Sequence, residues 1–184
     1  EDTPVTSLAP SGDGWTLNTA TGSVHVGRVL LATNAETRGA ARPLGRAVLP
    51  LMVHQIATIP LDADTVARIA RDREPASDTR TNIFTWRLDA ENRLITGGMA
   101  LVPLGARTRL PQKILRRAIA ELRLPPETRL AHAWQGTAAM TTDALPLLSK
   151  LQPGLIGAVG CNGRGVAFTT ALGRALAQAL AEGS

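Results

Sequence analysis

The residues best placed to do chemistry lie near the C-terminal end, where Leu155, Ile156, Gly157, Ala158 and Val159 run into Gly160-Cys161-Asn162-Gly163-Arg164-Gly165-Val166. The apolar run reads as a buried strand, and an alanine-rich segment with helical periodicity follows the glycines as far as Ala181. A strand, a tight loop and a helix are predicted. Such a junction gathers backbone N–H groups and the positive end of a helix dipole at one point, which suits a phosphate or an electron-rich carbonyl. The spacing is G-x-x-G-x-G and departs from the G-x-G-x-x-G of a dinucleotide site, so a close-packed strand-to-helix turn accounts for the same residues.

Other candidates are scattered. Thr33 and Asn34 follow a short apolar run at residues 28–32, whose continuity predicts a strand with two dry faces. Small polar residues at a sheet end can meet a ligand there, and a turn capped by Asn34 is the plainer alternative. His54 falls in a predicted strand with no carboxylate at fixed spacing, so a satisfied sheet histidine explains it more simply than catalysis. His25, His54 and His132 lack metal-ligand spacing, and no metal is expected. The lone Cys161 excludes an internal disulfide and fits a reducing compartment. No nucleophile elbow, P-loop or paired-carboxylate pattern occurs.

The elements that must position these groups follow from periodicity. Residues 15–19 and 23–26 alternate around Ala20-Thr21-Gly22 and predict a hairpin. Pro43 and Pro50 bracket a connection, after which residues 52–59 read as a strand ended by Pro60. Residues 62–74 predict a short surface helix. A second hairpin is expected from strands at 82–88 and 93–98 around a four-residue loop, ending at Gly97-Gly98, with Trp86 and Arg87 on opposite faces. Residues 110–124 carry an apolar stripe at Ile114, Leu115, Ala118, Ile119 and Leu122, which predicts a helix stopped by Pro125-Pro126. A strand at 131–137 and a loop at 140–146 lead back to the glycine loop.

Composition narrows the class. The chain has 184 residues, 44% hydrophobic and 19% charged, a globular balance with no apolar span long enough to cross a membrane. A net charge of +5 invites nucleic acid, yet aromatics are 3% and tyrosine is absent, so stacking platforms are scarce. Lysine occurs only as Lys113 and Lys150, and the arginines are spread without a dense block. No nucleic-acid partner and no transmembrane segment are expected.

Trp134-Gln135-Gly136, with Asp143 nine and Pro146 twelve positions after the tryptophan, then the strand at 155–159 and the glycine loop, resemble the end of the D-amino-acid oxidase-like FAD-dependent oxidoreductases. That family includes glycine oxidase, sarcosine oxidase and gamma-glutamylputrescine oxidoreductase. Residues 29–35 resemble its strand returning to the FAD domain. Pro50, Gln55 and residues 58–61 resemble entry to its substrate sheet, and residues 87–98 its hairpin ending in Gly-Gly.

The resemblance implies an α+β or α/β fold: a mixed substrate-binding sheet with flanking helices, joined to the last strand-loop-helix of an FAD domain. It implies residues 1–45 as part of the FAD domain, 46–136 as the substrate domain and 137–184 as the closing strand and helix of the FAD domain. The family's N-terminal nucleotide-binding unit is missing from these residues and is the implied partner. Thr33, Asn34, Gly160, Asn162, Gly163, Arg164, Gly165 and Val166 are the implied cofactor residues, with N–H groups of residues 162–166 at the flavin's N1 and C2 carbonyl edge. Met52, His54, Arg87 and Trp134 are the implied substrate residues, and no catalytic acid or base is assigned. The implied reaction is oxidation of an amine or amino acid to an imine by hydride transfer to flavin, in a cytoplasmic enzyme whose fragment is inactive alone. Glycine oxidase-like members carry an arginine four positions after the motif tryptophan to hold the substrate carboxylate, and here that position is Ala138. Residues 136–143 hold no cysteine for covalent attachment, so noncovalent FAD is expected. An arginine-rich anion- or nucleic-acid-binding module and an inactive relative are the alternatives.

Overall fold

The computed structural model describes residues 1–80, 83–100, 102 and 104–182. The chain divides into two compact units, one made of Glu1–Pro50 with Ala138–Ser184 and the other of Leu51–Thr137. Strands, helices and several sheets are mixed, as the fold class expected from the sequence requires.

In the first unit, β1 (Ser7–Ser11), β2 (Gly14–Asn18) and β3 (Ser23–Val26) form an antiparallel meander with Trp15 opposite Val26. The β2–β3 hairpin matches the alternation around Gly22. Strand β1 carries no such signal, because four of its five residues are exposed and it contains Pro10. A second sheet orders β10 (Leu147–Gln152), β11 (Leu155–Val159) and β4 (Val29–Leu31), with β11 and β4 parallel. Val29 and Leu31 are buried on one face of β4 and Leu30, on the other, is half-buried. Strand β10, with four of its six residues exposed, lies between the loop expected at 140–146 and β11, where the sequence carries no strand signal.

A 3-10 helix at Gly39–Ala47 lays Ala41 and Leu44 against Trp15, Val29, Leu155 and Val159, forming this unit's core. Leu44 is 1% exposed, and a Cβ placed on Gly157 would stand 2.6 Å from its Cδ2. Glycine at 157 thus lets the 3-10 helix close onto β11. The Trp15 indole donates to the Pro153 carbonyl at 3.1 Å and ties the two sheets together. After β11 come the glycine loop and α3 (Gly165–Glu182), on which Leu176 is buried.

In the second unit a five-stranded sheet has the order β6-β7-β8-β5-β9. Its strands are β5 (Leu49–Pro60), β6 (Ala76–Ser77), β7 (Thr85–Leu88), β8 (Arg93–Met99) and β9 (Leu130–Met140). The chain passes from one unit to the other within β5 and β9, both longer than the apolar pattern alone suggests. Asn82, the expected start of the second hairpin, lies outside the described residues. Helix α1 (Ala63–Ile69) is shorter than residues 62–74: Asp62 caps it through the Thr65 N–H at 2.8 Å, and Ala70 already leaves helical geometry.

Helix α2 (Ala106–Leu122) starts a turn before Leu110 and ends before Pro125, because Arg123 adopts a left-handed conformation and its N–H bonds the Ile119 carbonyl. Ile114 and Leu115 of α2 pack on Ile56 of β5, and Ala118 and Leu122 pack near Phe84, Leu88 and Leu94. The glycine pair separates the two faces of the sheet. A Cβ on Gly98 would lie 3.2 Å from the Ile114 side chain, whereas one on Gly97 would lie 2.4 Å from Gln55 Nε2. One face of the sheet therefore belongs to α2, and Gln55 lies over the other.

Candidate functional site

The glycine loop is held by side chains far away in sequence. The chain reverses through Gly160 (φ +81°), Asn162 (φ 52°) and Gly163 (φ 74°), a run of left-handed residues that glycine and asparagine adopt at least cost. A Cβ on Gly160 would meet Thr141 Cγ2 at 2.5 Å, while one on Gly163 would meet nothing within 4 Å. The loop is packed on one side and open on the other.

Asn34, at the end of β4, faces the loop with its whole amide. Its Oδ1 accepts from the N–H groups of Gly160 and Cys161, each at 3.3 Å, and its Nδ2 donates to Cys161 Sγ at 3.3 Å. Asn162 works from the loop outward. Its Oδ1 accepts from the Thr141 N–H at 2.8 Å, and its Nδ2 donates to the Gly160 carbonyl at 2.6 Å and to Thr141 Oγ1 at 3.0 Å. The Asn162 N–H donates to the Ala139 carbonyl at 3.1 Å. Both asparagines expected at the cofactor are thus loop-building residues whose side-chain atoms are already engaged.

Arg164 is engaged as well, its guanidinium donating to the Ala144 carbonyl and its N–H to the Cys161 carbonyl at 3.0 Å. Of the loop's backbone donors, those of Gly160, Cys161, Asn162 and Arg164 are taken. The N–H groups of Gly163, Gly165 and Val166 have no hydrogen-bond partner among the described residues. They sit where α3 begins, with Val166 93% exposed and open space at Gly163. This donor set fits an electron-rich carbonyl edge or an anion. Thr33, two residues past β4, is exposed, and its carbonyl accepts from the Glu36 N–H at 3.0 Å.

Thr141 and Asp143 brace the loop from the segment after β9. Thr141 Oγ1 donates to the Leu145 carbonyl at 2.6 Å, and the Leu145 N–H donates to Asp143 Oδ1 at 3.0 Å. That N–H, together with Thr141, holds the Asp143 carboxyl below the ordinary carboxylate range. The importance of Thr141 has no local sequence signal, since its partner Asn162 is 21 residues away.

In the second unit the expected substrate residues do not converge. His54 pairs with Gly98, whose open side faces Ile114, so His54 lies on the face covered by α2. It is 2% exposed, and its Nε2 is buried without a hydrogen-bond partner among the described residues. Met52, two residues earlier, shares that face by alternation. Arg87 pairs with Ile95, and Ile95 with Ala57, which places it on the opposite face together with Gln55. Trp134 stands 46% exposed on the edge strand β9. Gln55 gave no sequence signal for a site role beyond its place at the start of the expected substrate sheet. Among the described residues no three His, Cys, Asp or Glu side chains are grouped to hold a metal, and no helix is long and apolar enough to cross a membrane.

One unit thus closes in strand, glycine loop and helix, and the other is built on a five-stranded sheet. Among solved structures the chain superposes on L-proline dehydrogenase from P. horikoshii with a TM-score of 0.77 and 18% identity, covering 100% of this chain and 50% of that one. The model of the family described as FAD dependent oxidoreductase matches residues 1–179, and the chain belongs to that family. Curated relatives include the Haemophilus influenzae protein named probable oxidoreductase OrdL, 26% identical over 184 residues, and the gamma-glutamylputrescine oxidoreductase of Escherichia coli, 27% identical over 169 residues. The matches cover 98% and 89% of this chain but only 42% and 39% of those relatives.

Proposed function

We propose that this chain is the C-terminal portion of an FAD-dependent oxidoreductase that converts the C–N bond of an amine or amino acid to an imine, with FAD held noncovalently. The reading rests on one observation above the family match: the N–H groups of Gly163, Gly165 and Val166 lack partners among the described residues at the start of α3, whereas the other loop donors are spent on the fold. Donors fixed before the reaction stabilise charge that develops later without reorganising, and a helix start adds its dipole. When bound, the flavin supplies a hydride acceptor for a C–H bond next to nitrogen. The three N–H groups would hold its pyrimidine edge, with Thr33 beside them. Asn34, Gly160 and Asn162 act as positioning residues that hold the loop open, and Arg164, fastened to Ala144, brings a positive charge nearby. Cys161 Sγ accepts from Asn34 and takes no part in flavin attachment. Its reduced thiol fits a cytoplasmic location.

On this reading Arg87 and Trp134 serve the substrate, while Met52 and His54 shape the sheet from its helix side. The pyrophosphate and ribose belong to an N-terminal nucleotide-binding half, the partner this chain needs. The 184-residue chain alone should come through desalting without stoichiometric flavin. Assembled with that half it should be yellow and should bleach anaerobically when an oxidisable amine or amino acid is added. An assembled protein that binds no flavin, or a bound flavin that no member of a broad amine and amino-acid panel reduces, refutes the reading.

A further inference from the structure

A cavity of about 730 Å³ lies wholly within the first unit, between β1, the 3-10 helix and the start of β11. A volume of this size suits a small organic ligand. Its lining changes character with depth. Trp15 and Leu155 are buried, at 5% and 6% exposure, and the half-buried Leu8 shares with Trp15 one face of the meander. Arg42, Arg46 and Gln152 are exposed at its mouth. Leu155 opens β11 and the glycine loop follows Val159, so the cavity floor lies at the other end of that strand, roughly 13 Å of chain from the loop.

The 3-10 helix aims its cations by its period. At three residues per turn Ala41 and Leu44 share one row, and both are buried in the core. Arg42 and Arg46 fall one on each of the other two rows, roughly 8 Å apart along the axis. The packing of Ala41 and Leu44 therefore turns both arginines away from the core, and the two line the cavity with Pro43 between them.

Nothing around them neutralises this charge. Neither Arg42 nor Arg46 makes an ion pair or a hydrogen bond with any described residue, and no carboxylate among the described residues lines the cavity. In the second unit, by contrast, Arg80 and Arg93 are each held by two carboxylates. Two guanidinium groups over an apolar floor complement a ligand with a multiply charged head and an apolar body. A phosphomonoester carries about −1.5 to −2 charges at pH 7 and presents three acceptor oxygens, enough for two arginine forks, whereas a carboxylate brings a single charge.

We propose that this cavity is a second ligand site, separate from the glycine loop, that takes a phosphomonoester with an apolar body. Arg42 and Arg46 hold the phosphate from two sides, and Leu8, Trp15 and Leu155 receive the body. All of these residues belong to the first unit, so binding here is independent of the flavin and of the amine-oxidising reading.

The test uses the full chain, isotopically labelled, with phenyl phosphate as probe, benzoate as its singly charged counterpart and phenol as the uncharged one. Phenyl phosphate should shift the Trp15 indole N–H and the Arg42 and Arg46 Nε–H signals saturably. Benzoate should bind about tenfold more weakly or worse, and phenol should give no saturable shift. Affinity for phenyl phosphate should fall as pH drops through about 6, where the phosphate gains a proton. Arg42→Ala and Arg46→Ala should each weaken binding by about tenfold or more, each variant keeping a dispersed spectrum. Arg38→Ala, at an exposed arginine outside the lining, should leave binding unchanged. Benzoate binding as tightly as phenyl phosphate, an affinity equal to the parent's in either alanine variant, or an equal loss in Arg38→Ala overturns the site.

Discussion

Asn162→Ala probes the glycine loop most sharply. The substitution removes Oδ1 from the Thr141 N–H and Nδ2 from the Gly160 carbonyl, bonds of 2.8 and 2.6 Å at a residue 9% exposed. Each buried group left without a partner costs about 1–3 kcal/mol. Alanine must also hold the left-handed φ of 52°, at about 1 kcal/mol more than asparagine or glycine. The sum is a destabilisation of about 3–7 kcal/mol, a large fraction of the stability of a small domain. Asn162→Gly strips the same two bonds but relieves the backbone, so it should be milder than Asn162→Ala by about 1 kcal/mol. Urea denaturation followed through Trp15 fluorescence gives the totals, and hydrogen exchange at the Thr141 and Gly160 amides locates the loss. An Asn162→Ala cost under about 1 kcal/mol, or a glycine variant no milder than the alanine one, would refute the claim that this side chain and its left-handed backbone hold the loop.

Gly157→Ala drives a methyl to within 2.6 Å of the buried Leu44 side chain, and overpacking of this kind should cost about 1–3 kcal/mol in thermal denaturation. The midpoint should recover when Leu44 is shortened to Val in the same chain. Acid should loosen the second unit: the Phe84 N–H holds the Asp78 carboxyl below its ordinary value, with Arg80 assisting, and Arg80 does the same for Glu121. A depressed carboxyl contributes stability in full above its unfolded value near 4 and loses it as pH falls through the lower folded value. Urea midpoints should therefore be level near neutrality and decline below about pH 4, and an Arg80→Ala variant should show a shallower decline.

Much of the fold was written locally. The alternation at residues 15–19 and 23–26, the apolar run at 155–159 and the stripe from Ile114 to Leu122 each became the element their period predicts, because those side chains need only a wet side and a dry side to be sorted. Strands β1, β6 and β10 escaped that reading because they are short or largely exposed, and backbone pairing with a neighbour creates them. The ends of α1 and α2 escaped for a different reason, since Ala70, where helical geometry is lost, and the left-handed Arg123 carry no residue-type signal for that change.

The sequence by itself determined that a glycine loop joins a buried strand to a helix, and its ordered motifs led to the family. Tertiary structure alone decided which donors that loop keeps. Asn34 reaches it from 127 residues away and takes the N–H groups of Gly160 and Cys161, the Ala139 and Cys161 carbonyls take those of Asn162 and Arg164, and three are left without a partner among the described residues. In the same way, strand register in the second unit put His54 and Arg87 on opposite faces. A hydrogen bond is made by whichever group folding brings within about 3 Å, and a side chain's face is set by its pairing partner; neither is a property of a residue's neighbours in sequence.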